Sequence, residues 1–280
     1  MEKNIILLFL LLFCPLYSFA SFNDAVEQKT GWETLPRNRP FPILVADPRE
    51  IRTALRKNSK DEIEADVGTY RSFVGWKGSV LKRESIVHFG LEGNGFFIMH
   101  HADARFPLVS SDGLIGLYLE AASDEWALQT RYTHISAHLS DDGIATGRTA
   151  IEYSREFFTA KLARHFASFG DSFIYAGYQY LTNTTPKDLP KHGGQIGFYS
   201  LLPWSCGKTN PYIGFDYKIR SAHEGSTWNA TTGLALFSSQ KNLGAPPIRF
   251  AFHYLKGHDP RGQFYGERIE KFSLGLELDL

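Results

Sequence analysis

The sequence predicts an all-β fold, a closed antiparallel transmembrane β-barrel of about twelve strands. Three observations carry this. The last stretch of the chain alternates strictly between an apolar and a polar face. The same two-faced pattern recurs along most of the chain. The N-terminus reads as an export signal, and no later apolar run is long enough for a membrane helix.

The final stretch, residues 267–280, reads ERIEKFSLGLELDL. Phe272, Leu274, Leu276, Leu278 and Leu280 share one parity, while Ser273, Gly275, Glu277 and Asp279 share the other. Side chains alternate across a strand, so this is a two-faced strand and not a helix. Charges placed at Leu276 and Leu278 are therefore expected to block assembly, and changes at Lys271 and Glu277 on the opposite face to be milder. The end, Ser273-x-Gly275-x-x-Leu278-x-Leu280, resembles the C-terminal assembly signal of bacterial outer-membrane barrels, with Leu280 where that signal usually has Phe. The resemblance implies the barrel assembly machinery as a partner during biogenesis.

From the start of the chain, residues 1–20 place Lys3 before a short apolar run and end on Ser18-x-Ala20. This is the pattern of a secretory signal peptide cleaved after Ala20. Phe13 stands where a lipoprotein needs a small residue, so Cys14 is not expected to carry lipid. Cleavage leaves Cys206 alone, and no internal disulfide is expected. Residues 21–48, with Pro36, Pro40 and Pro42, read as an irregular periplasmic lead that plugs or straps one barrel end. Residues 49–280 read as the barrel.

Within the barrel, 49–56 and 63–75 are strand-like with weak alternation. Gly90, Gly93 and Gly95 predict bends or bulges in 86–101. Segments 114–121 and 126–138 flank a tight turn at Ser123-Asp124. Further strands follow at 149–164, 173–181, 195–202, 212–220, 228–237 and 248–256. In the clearest cases Ile213, Phe215, Tyr217 and Ile219 line one face, as do Ile248, Phe250, Phe252 and Tyr254. These lengths suit tilted strands of ~9–11 residues crossing a bilayer. With the C-terminus in the periplasm, 139–148, 182–192, 223–227 and 256–266 are outer connections. The segments 167–171 and 238–246 then lie inside, the second long for an inner turn. A soluble β-sandwich is the structural alternative.

Lys+Arg and Asp+Glu both total 30, so charge offers no argument for a nucleic-acid partner. The expected surroundings are the bacterial outer membrane, with phospholipid or lipopolysaccharide as partner. A barrel of about twelve strands is filled largely by side chains, which argues against an open channel.

One stretch carries groups suited to chemistry. In 126–138, WALQTRYTHISAH, the even face holds Trp126, Leu128, Thr130, Tyr132, His134, Ser136 and His138. Its first half is apolar, so this face looks toward lipid and the polar groups lie near the outer headgroups. In the next strand Glu152, Ser154 and Glu156 share the parity of outward Phe158, Ala160 and Leu162. A register setting His134 opposite Glu156 also sets Ser136 opposite Ser154, within reach across the pair. Ser136 would be the nucleophile, His134 the general base and Glu156 the group orienting the imidazole. Lipid-facing charges cost little near the interface, which is where lipid esters are found. Asp141 and Asp142 in the adjoining loop are candidates to hold Ca²⁺. The plain alternatives are a polar interfacial belt, a lumenal hydrogen-bond network and a solvated acidic loop.

Tyr132-x-His134-x-Ser136 resembles the Tyr-x-His-x-Ser of outer-membrane phospholipase A and the His-x-Ser of lipid A deacylases, whose third residue is Glu. That likeness implies a serine-dependent lipid esterase or acylhydrolase, though Ala137 stands where the deacylases have Asn, and no Gly follows Ser136 as it does in the phospholipase. More broadly the chain resembles an uncharacterised family of bacterial outer-membrane barrels. The marks are Phe41-Pro42, Ala46-Asp47-Pro48-Arg49, the His134/His138 segment, Tyr153-Ser154-Arg155-Glu156, Gly257-His258, Gly262-Gln263-Phe264-Tyr265 and the last strand. This implies a barrel and its location and leaves three functions open: lipid hydrolase, structural or binding barrel, and narrow channel.

Overall fold

Alternating sequences become a closed wall because a lipid-exposed backbone must satisfy its polar groups internally and leave no sheet edge. The computed structural model describes residues 30–37, 39–102, 105–166, 171–187, 189–204, 209–220, 225–236 and 248–279. The signal peptide at 1–20, the first part of the lead, Cys206, the inner connection at 238–246 and Leu280 lie outside the described residues.

The strands are β1 (Gly31–Thr34), β2 (Thr53–Asn58), β3 (Glu62–Val80), β4 (Arg83–His100), β5 (Leu108–Ser123), β6 (Trp126–Leu139) and β7 (Tyr153–Phe166). They continue as β8 (Ser172–Thr185), β9 (His192–Leu201), β10 (Thr209–Arg220), β11 (Ser226–Leu236), β12 (Ile248–His258) and β13 (Arg268–Leu278). A five-residue helix α1 (Asp141–Ala145) follows β6. Each strand from β2 to β13 pairs antiparallel with the next, and β2 closes the ring against β13. The fold is one closed 12-strand barrel and not two stacked sheets. Among the described residues no helix is long and apolar enough to cross a membrane.

The faces follow the alternation. Phe272, Leu274 and Leu276 are exposed on the outer wall, while Lys271, Ser273 and Glu277 are buried in the lumen. The alternation in β3 is interrupted near residue 73 for a local reason. The β3–β4 register slips between Ser72 and Val74, so Phe73 and Val74 are both exposed. The expected irregularity in 86–101 falls between Ile98 and Met99, where the β4–β5 register shifts, while the ladder runs unbroken past the three glycines; at Gly90 a Cβ would lie 2.5 Å from the Tyr118 hydroxyl. β1 is not one of the twelve: it pairs with the inner-side half of β3, beyond the ladder with β2, from Gly31↔Lys77 to Thr34↔Val74.

The lumen is plugged by the chain itself. Residues 39–52 run inside the ring: Phe41 and Leu44 pack on Ala127, Ala163, Phe173 and Tyr175, and Val45 packs on Tyr212, Ala235 and Ala251. Polar contacts tie the segment to almost every side of the wall. Arg39 pairs with Glu120, Arg49 with Asp112 at 2.9 Å and Arg52 with Glu277 at 2.8 Å. Asn229 donates to the Ala46 carbonyl at 2.7 Å, and Asp47 accepts from Gln195 at 2.9 Å and from Lys218. Burial alone would raise the Asp47 carboxyl, but Lys218 and Lys161 outweigh it and hold the group far below the usual carboxylate range.

The outer end is closed by the connection 259–267. Arg261 reaches Glu62 at 3.1 Å, and Gln263 donates to the Ala137 and Ile151 carbonyls at 2.7 and 2.9 Å. The Gly262 amide donates to Asp112 at 3.0 Å, so the inner plug and the outer loop meet on one carboxylate.

One expectation changes here. Glu277 is fully buried and contacts Arg52, Arg56 and His253 at 2.8–2.9 Å and Arg249 at 3.4 Å. A carboxylate shared by three guanidinium groups and an imidazole is not a mild position, because its loss strands buried charge.

Candidate active site

The outward face of β6 is built as its alternation requires. Ile135 and Ala137 turn inward onto Tyr153 and Leu189, which sends Tyr132, His134, Ser136 and His138 to the outer wall. Below them Leu128, Phe158 and Leu162 are exposed to the membrane, and the Tyr132 and Phe158 rings lie 4.6 Å apart. The polar groups therefore stand just above an aromatic pair, toward the outer end of the strand.

The β6–β7 register sets His134 opposite Glu156 and Ser136 opposite Ser154. His134 Nδ1 is 3.5 Å from Glu156 Oε1, and the two side chains are 42% and 36% exposed. The Tyr132 hydroxyl donates to the other carboxylate oxygen, Oε2, at 3.4 Å. A register slip in the β7–β8 ladder follows Glu156, and the Thr182 hydroxyl donates to the Glu156 carbonyl at 2.9 Å. The carboxylate is thus placed by a tyrosine and a locally irregular backbone, and it places an imidazole.

Ser136 stands apart from that pair. Its Oγ contacts His138 Nε2 at 3.4 Å, and no hydrogen bond joins it to His134. The three predicted residues share one face in the expected register, but only His134 and Glu156 are in contact. The partner of Ser136 is His138, two residues on, and the group bracing Glu156 is Tyr132. Both carry the same even parity as Ser136, which is the signal that could have found them.

Asp141 and Asp142 occupy the first turn of α1, whose N-cap is Ser140, with the Gly143 amide donating to its hydroxyl at 3.0 Å. Among the described residues no group of three or more His, Cys, Asp or Glu side chains is placed to hold a metal ion. Ca²⁺ takes 6–8 oxygens, and two carboxylates of one helical turn fall short of that. The pair alone does not fit a Ca²⁺ site.

A closed 12-strand ring with an apolar outer belt and a self-plugged polar lumen defines the class: this is an outer-membrane β-barrel. The chain belongs to the family described as "Protein of unknown function (DUF1207)", which matches residues 23–279. No curated protein matches the sequence. Among solved structures it is similar to the Salmonella typhi outer membrane phospholipase dimer with bound calcium, at 14% identity and TM-score 0.51, covering 87% of this chain and 94% of that one. It is also similar to an active-site mutant of Escherichia coli outer membrane phospholipase A, at 14% identity and TM-score 0.50, covering 86% of this chain and 91% of that one. At such identity the likeness speaks for the fold alone.

Proposed function

We propose that the protein is a lipid-ester hydrolase of the outer leaflet, releasing acyl chains from phospholipid or lipid A. The observation that carries this reading is the His134–Glu156 pair on the lipid-facing wall, two residues from Ser136 on the same face. An exposed carboxylate–imidazole contact contributes little to folding, so a carboxylate-oriented imidazole there is better explained by chemistry than by stability. In the reaction Ser136 Oγ attacks the ester carbonyl as His134 takes its proton, with Glu156 supporting the imidazolium. The imidazolium then protonates the departing alcohol, and water attacking the acyl-serine restores the hydroxyl. The reading requires Ser136 to turn about χ1 from His138 toward His134.

The same reading takes residues 1–20 as a signal peptide, 21–48 as the N-terminal lead, whose residues 39–48 run inside the ring together with 49–52, and 49–280 as the barrel delivered by the assembly machinery through its last strand. Membrane lipid is the partner, in keeping with the phospholipases it is similar to. Ca²⁺ enters as an assay arm, because one of those structures binds calcium.

A non-catalytic barrel is the second reading, favoured by the contact of Ser136 with His138 in place of His134. Acyl release from phospholipid and lipid A vesicles, with Ca²⁺ or chelator, separates the two. Ser136→Ala and His134→Ala should each lower release by orders of magnitude, and their combination should cost little more, since groups acting as one unit are non-additive. Glu156→Gln should be partial and His138→Ala mild. If His138→Ala abolishes release while His134→Ala does not, the base is misassigned. No release by the wild type on either lipid favours the non-catalytic barrel.

A further inference from the structure

A nucleophile carried on a strand meets a difficulty that one carried on a loop does not. When an ester is attacked its carbonyl oxygen becomes an oxyanion, and preorganised donors aimed at that oxygen lower the barrier. Backbone N–H groups often serve, so it matters where the amides around Ser136 point.

The ladders answer this. The Ser140 N–H donates to the Val109 carbonyl at 3.0 Å, and the His165 N–H to the Glu125 carbonyl at 2.8 Å. The first pair extends the β5–β6 register and the second the β6–β7 register, and neither register shifts along its length. Backbone groups alternate in direction along a strand. Even-numbered residues of β6 therefore bond to β5, and odd-numbered ones to β7. The Ser136 amide is committed to Gly113 and the Ala137 amide to Tyr153, both within the sheet. Neither is left for an oxyanion, so the donor must come from a side chain on the outward face.

The same phase makes Ser136↔Ser154 a non-hydrogen-bonded pair. Such pairs bring their side chains closest, with Cα atoms about 4.5 Å apart. Ser154 is half-buried, and among the described residues its hydroxyl makes no hydrogen bond. His134 approaches Ser136 along β6, whereas Ser154 faces it from β7, so base and donor occupy different sides of the reacting carbon.

We infer that Ser154 is a further catalytic residue, the side-chain donor to the oxyanion formed on Ser136. This rests on the hydrolase reading. As Ser136 Oγ bonds to the carbonyl carbon, its proton passes to His134 and the carbonyl π pair moves onto oxygen, where the Ser154 hydroxyl donates to it. The pair returns as the alcohol departs with the proton from His134, and the carbonyl re-forms in the acyl-serine. Ser154 keeps its own proton throughout and donates again when water attacks. A neutral hydroxyl suits this place, because a charged donor would cost more on a lipid-facing wall.

The test uses the detergent-folded protein and 4-nitrophenyl palmitate in mixed micelles, beside its thionoester counterpart. Ser154→Ala should lower kcat on the oxygen ester about a hundredfold or more, the usual scale for one oxyanion donor, with KM little changed. Ser154→Thr keeps a hydroxyl and should recover much of the loss. Sulfur accepts hydrogen bonds weakly, so wild type and Ser154→Ala should differ far less on the thionoester, whereas a merely structural role would lower both rates alike. Heat-modifiable migration checks that each variant folds. A long-chain fluorophosphonate with peptide mapping should label Ser136 in the wild type, and more slowly in Ser154→Ala. Full activity in Ser154→Ala beside an inactive Ser136→Ala overturns this inference and leaves the hydrolase standing. Label on Ser154 overturns it too, by making that residue the nucleophile. Neither release nor label in the wild type overturns the hydrolase reading, and this inference with it.

Discussion

Ser136 and Asp47 show how single side chains here answer to different surroundings. On the outer wall Ser136 has an imidazole two residues away on either side, and only the one at 134 is held by a carboxylate. In the lumen Asp47 is held by two lysines, and its folded pKa lies well below the ~3.9 of a free aspartate. A depressed carboxylate contributes stability above its unfolded pKa and loses it as pH falls toward the folded value. Asp47→Asn should therefore lower the unfolding midpoint at pH 7. The gap from wild type should narrow as pH falls below about 4. A pH series of thermal unfolding on both proteins checks it, and a gap independent of pH would mean that Asp47 acts through shape and not charge.

At the scale of the element, β13 has one face for lipid and one for the lumen network, and the two tolerate change for different reasons. Leu276→Asp with Leu278→Asp places two charges toward the bilayer and should block assembly. Glu277→Ala adds no charge to lipid, yet it removes the shared partner of Arg52, Arg56, Arg249 and His253. Breaking a buried pair this way typically costs ~3–5 kcal/mol. The expected outcome is a barrel that assembles but unfolds at markedly lower urea or temperature, read by gel shift and circular dichroism. Lys271→Ala should be milder, because Lys271 answers Glu64 alone and Glu64 keeps Arg56 at 3.4 Å.

For the whole molecule the lead and the outer loop matter more than strand number. The wall could enclose a lumen, but residues 39–52 pass through it and 259–267 closes its outer end, the two meeting at Asp112. The reconstituted wild type should show no stable ion conductance in planar bilayers. Arg52→Ala with Asp47→Asn removes two lumenal anchors of the segment 39–52 and should produce channel-like openings. A wild type that conducts steadily would show that the plug leaves the lumen. The folded protein should also stay compact in SDS until heated, as a closed hydrogen-bonded ring requires.

Much of this was legible in the chain. Period-two alternation is a local property, so the two faces of β13, of β12 and of Trp126–Leu139 could be read directly, and the parity of Glu156 and Ser154 foretold their places opposite His134 and Ser136. The early strands were harder, because the slip at Ser72/Val74 breaks the period and glycines such as Gly90 answer to a neighbour's ring. Polar residues on inner faces carried no mark of their partners. Glu277 and Lys271 read alike as lumenal, yet only ring closure brings Arg52 and Arg56, more than two hundred residues away in sequence, onto Glu277. The partner of Ser136 was equally out of reach, since parity brings two imidazoles to its face and side-chain torsion chooses between them. Faces follow from the pleat of one strand, whereas partners depend on closure, shear and rotamer, which exist only once the ring has formed.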